Sequence, residues 1–69
     1  MKPEELFQQA ERVARAWREG RQDDAVNHLC NVAQVDPFNA IALAIHAYDL
    51  LYPNDRKHFR NRFRQRLEP

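Results

Sequence analysis

A chain of 69 residues holds one domain at most, and a domain that small buries only roughly 60% of its unfolded surface, so its core is small. At 43% hydrophobic and 30% charged, the composition is that of a folded soluble domain and excludes a disordered tail; no apolar run approaches the ~20 residues of a membrane span. The formal net charge of +1 conceals two halves of opposite sign: residues 1–51 carry five basic against eight acidic side chains, net −3, and residues 52–69 six against two, net +4. An acidic body with a basic end favours a charged partner or head-to-tail pairing.

The opening run MKPEELFQQAERV lacks the apolar centre of a secretory signal. A single cysteine, Cys30, has no mate within the chain, which points to a reducing, cytoplasmic setting. The first helix is predicted over residues 4–19. Glu4 and Glu5 favour the positive end of its dipole. Leu6, Ala10, Val13 and Trp17 fall on one stripe, widened by Phe7 and Ala14, and Glu11, Arg12, Arg15, Arg18 and Glu19 occupy the other face. Trp17 is the largest apolar group here and is expected against the second helix; exposed, it would be a binding anchor.

Gly20 supplies a terminus that reaches positive φ. The second helix is predicted over 23–35, with Asp23 as its cap. Ala25, Leu29 and Val32 share a face, Val26, Cys30 and Ala33 an adjacent one, and Asn27, Asn31 and Gln34 the solvent side. Pro37 stops it. The run Gly20-x4-Ala25-x3-Leu29-x2-Val32-x3-Asp36-Pro37 resembles the second half of a tetratricopeptide repeat. Val32 stands where that family has a small residue. The preceding helix departs further, with Val13 at a small-residue position and Gln9 and Arg12 where large apolar groups are usual. The resemblance implies paired antiparallel helices and a protein- or peptide-binding role.

The third helix is predicted over 39–51, with Asn39 as its cap. IALAIHAYDLLY is apolar nearly all round, so the helix is expected at the centre of the fold. Ile41, Ile45, Tyr48 and Tyr52 form one line, and Ala40, Ala44, Ala47 and Leu51 another. Either neighbouring helices cover both sides, or one side meets a second copy, giving a homodimer. Pro53 closes this helix, and Asn54 is expected to cap a fourth over 55–67, DRKHFRNRFRQRL. Phe59, Phe63 and Leu67 are its apolar stripe; Arg56, Arg60 and Arg64 line up at the same spacing beside them.

No catalytic constellation is present. His28, His46 and His58 lie far apart, no cluster has metal-ligand spacing, and Gly20 is the only glycine, which excludes a phosphate-cradling loop. No metal or cofactor is expected. The reading is an all-α, four-helix domain that is not an enzyme and binds another protein as an adaptor, chaperone or inhibitor. Its candidate contact residues are Trp17, Tyr48, Tyr52, Arg56, Phe59, Arg60, Phe63 and Arg64. Arginine forks suit an acidic protein surface. The alternative is a nucleic-acid-binding regulator, with the arginines of the fourth helix on phosphates and Phe59 and Phe63 stacked on bases.

Overall fold

The structure, a computed structural model, describes residues 2–67, the side chain of Leu67 excepted. Among the described residues there are four helices and no strand: α1 Pro3–Arg18, α2 Gln22–Val35, α3 Pro37–Leu50 and α4 Pro53–Leu67. The all-α expectation holds. The helix starts differ from those expected, and the reason is proline. Pro3, Pro37 and Pro53 each occupy the first position of a helix, where the missing N–H costs nothing and φ is already helical. Pro37 and Pro53 therefore open the next helix as well as closing the last, and α3 and α4 each begin two residues earlier than predicted.

The caps change accordingly. Asp36, not Asn39, caps α3: it accepts the Asn39 backbone N–H at 3.2 Å through Oδ1 and the Asn39 side-chain amide at 2.5 Å through Oδ2. Asn54 lies inside α4, whose first turn is closed by the Asp55 and Arg56 N–H groups donating to the Tyr52 carbonyl. Asp23 does not cap α2. It sits in the first turn, where the dipole favours a carboxylate, and its side chain accepts from Arg62 of α4. Gly20 acts as expected. At φ 85° it lets the Arg21 N–H reach the Ala16 carbonyl and its own N–H reach that of Trp17, the paired bonds of a Schellman ending.

α1 packs on α2 and α3, and α4 packs on α2 and α3, so each helix meets the next and the next but one. The result is a slab of 30 × 28 × 17 Å. Its core is built from Ala10, Val13, Ala14, Ala16 and Trp17 of α1, Ala25, Val26 and Leu29 of α2, Leu43 and Ala47 of α3, then Leu51 and Phe59. Trp17, 3% exposed, is buried as expected and meets Phe59 edge to face, with ring centroids 5.4 Å apart. That contact ties α4 to α1 across the core.

Within one chain α3 is covered on one side and open on the other, so neighbouring helices do not cover both its sides. Its alanine line is inside, with Ala40, Ala47 and Leu51 buried, and the small side chains let α1 and α2 come close. Its isoleucine line is outside. Ile41 is 58% exposed and Ile45 56%; Phe38 extends the same line at its start, and Tyr52, past the end of the helix, is exposed as well. α3 touches all three other helices, yet its Ile41–Ile45 line stays exposed.

Candidate functional site

Between α3 and α4 the chain leaves an apolar groove of about 400 Å³, lined by Ala44, Ile45, Tyr48, Asp49, Phe59, Arg60 and Phe63. One wall continues into the exposed line of Ile41 and Ile45. The other wall is α4, which carries six basic side chains against Asp55 alone. The groove is therefore apolar along its floor, with Arg60 on the α4 wall and Asp49 on the α3 wall as its charged lining residues.

Of the eight candidate contact residues, the structure gathers Tyr48, Phe59, Arg60 and Phe63 into this groove. Tyr52 lies exposed at the end of the α3 line. Arg64 is exposed one turn beyond Arg60. Two candidates have other duties. Trp17 is inside the core and offers no surface. Arg56 folds back on the C-terminus of α3: its Nε donates to the Tyr48 and Leu51 carbonyls at 3.1 Å each, and a terminal nitrogen donates to the Asp49 carbonyl at 3.2 Å. Its guanidinium also lies 5.5 Å from the Tyr48 ring centroid. It donates to carbonyls at the end of α3, sharing that of Tyr48 with the Leu51 N–H, and meets the negative end of the dipole.

Phe59 forms the groove's floor but is only 2% exposed, and Phe63 is partly buried. A base has no ring of Phe59 to stack on in the folded chain, and Arg62 is paired with Asp23. Sequence reasoning did not single out Phe38, Ala44 or Asp49, and it left open whether the Ile41–Ile45 line is covered within the chain. The signal for Phe38 was the Asp36-Pro37 start, which puts it on the helix instead of in a loop. Phe7 also lies outside, 53% exposed, edge-on to His46 with centroids 4.7 Å apart, so α1 contributes an aromatic beside α3.

A second groove, of about 680 Å³, runs between α1 and α2 and is polar, lined among others by Arg12, Arg15, Asp24, Asn27 and His28. His28 hydrogen-bonds to Gln9 across it. Partial burial, and secondarily the Arg12 guanidinium, hold the His28 imidazole below its ordinary pKa. Asn27, expected on the solvent face, is half-buried, and its Oδ1 has no hydrogen-bond partner.

Among the described residues no group of three His, Cys, Asp or Glu side chains is placed to hold a metal ion, and no helix is long and apolar enough to cross a membrane. In comparisons with known proteins, no family model, no curated protein and no solved structure matches this chain.

Proposed function

We propose that the chain is a non-enzymatic protein-binding module, an adaptor, chaperone or inhibitor of cytoplasmic setting, whose contact surface is the outer face of α3 with the α3/α4 groove. The observation that carries this reading is the apolar line Phe38, Ile41 and Ile45, exposed on a helix whose opposite side is already packed, with Tyr52 exposed just past the helix end. Leaving that line wet has a cost in solubility and gives the fold nothing, and a contiguous patch of this kind is a mark of an interaction site. The aromatic and arginine groups beside it are those that supply binding energy at interfaces. The tetratricopeptide-like reading fits the order in which the helices touch, together with the Gly20 turn and the Asp36-Pro37 junction. A second copy of the chain, the homodimer expected from the sequence, competes for the same face.

The test is capture of a partner from the native host by the wild type and by Ile41→Asp/Ile45→Asp. The expected result is one dominant protein lost with the double variant while circular dichroism is unchanged. Undiminished capture by the double variant removes the reading.

A further inference from the structure

We infer that the α3/α4 groove receives an amphipathic helix with an acidic flank, contributed by another protein. This rests on the protein-binding reading and adds the chemistry of the partner. Three features select it. The exposed line on α3 runs Phe38, Ile41, Ile45, so its side chains recur at helical spacing over about two turns, roughly 10 Å of rise. A partner helix presents i, i+3, i+4, i+7 anchors over about two turns, a matching reach. The described chain has no strand and so no sheet edge, which leaves an extended peptide nothing to pair its backbone with.

The charge is one-sided. Arg60 lines the groove, and Arg56 stands a turn before it. The bonds that hold Arg56 are to carbonyls, which leave its positive charge in place. A helix lying between the isoleucine line and this row meets cations along one flank only. Carboxylates on that flank pair with them, and lysines there would be repelled. Asp49 is the acidic side chain among the groove residues, and it stands on the α3 wall, so the preference for carboxylates belongs to the α4 side.

The test uses two designed helical peptides with the same leucine face, one carrying glutamates and the other lysines along the flank. Binding is measured by titration calorimetry, with sedimentation of the protein alone at the same concentrations. The Glu peptide is expected to bind at least ~10-fold tighter than the Lys peptide, and to weaken as salt rises. Arg60→Glu should reduce or reverse that preference. Ile45→Asp should remove binding of the Glu peptide, and Ile41→Ser should weaken it; both positions are exposed, so unchanged circular dichroism is expected for each. Equal binding of both peptides, tighter binding of the Lys peptide or of an extended proline-rich peptide, no binding of any, or a stable dimer with the face already covered each overturn the proposal. Face-dependent capture from the host together with a failed peptide preference would sink the acidic helix alone; capture indifferent to Ile41 and Ile45 would sink the protein-binding reading beneath it.

Discussion

At the scale of single residues, the structure separates side chains that hold the fold from side chains that have no fold duty. Gly20 has open space around it, so no clash forbids a side chain there; its φ of 85° does. Gly20→Ala should cost about 1–2 kcal/mol from backbone strain, and Gly20→Asn less, since Asn tolerates this region. Urea denaturation of the two variants checks the order. Arg56 was legible as a cation in a row of three, but its clamp on α3 was not. That bond set depends on the chain doubling back at Pro53, which no spacing in the row reports. Arg56→Ala should lower stability by about 1–2 kcal/mol through lost charged hydrogen bonds, and Arg60→Ala should change it little. If both variants unfolded at the wild-type midpoint, the clamp would have no energetic role.

His28 gives a pH signature. Its imidazole is held below its ordinary value of 6.5 by burial first and Arg12 second, so the folded chain takes up that proton less readily than the unfolded one. As pH falls below about 6.5 the unfolded state binds more protons, and stability drops. Glu11 and Asp24, which share the α1/α2 groove, do not reverse this direction. His28→Gln should flatten the fall in melting temperature between pH 7 and pH 5. An identical slope in the variant would show that His28 is not its source.

At the scale of elements, periodicity found all four helices and most of their inner faces. The stripes Ala10–Val13–Trp17 and Ala25–Leu29 are buried as their spacing implies. Starts were harder to read, because a proline marks an end and a beginning with the same residue. Asp36 shows the correct reading: an acceptor followed by Pro, with Asn39 three residues on, is a cap for what comes after. Asp36→Ala should destabilise by about 1 kcal/mol through loss of that cap. α3 shows the limit of periodicity from the other side. Two apolar lines on one helix were visible, and which of them the chain would cover was not, because that depends on where α4 comes to rest. Phe59→Ala should cost about 3–5 kcal/mol, since it empties the contact with Trp17. Ile41→Ser or Ile45→Ser should lie within about 0.5 kcal/mol of the wild type. Chemical denaturation that ranked Ile45 with Phe59 would mean the line is core in solution.

At the scale of the whole molecule, four short helices and a slab 17 Å thick leave little interior. The chain nonetheless places Phe7, Phe38, Ile41, Ile45 and Tyr52 outside. A fold selected for its own stability alone would turn some of these inward or replace them with polar groups. The groove beside them is walled by the most basic element of the chain, which gives the surface a direction as well as grease.

The most direct measurement is covalent footprinting of α3 in dilute pure protein and again in extract from the native host. Phe38, Ile41, Ile45 and Tyr52 should label readily in the pure protein and become protected in the extract. Leu50, about 140° round the helix from Ile45, should label alike in both. Protection already complete in the pure protein, or labelling that the extract leaves untouched, would contradict the claim that this face exists for another polypeptide.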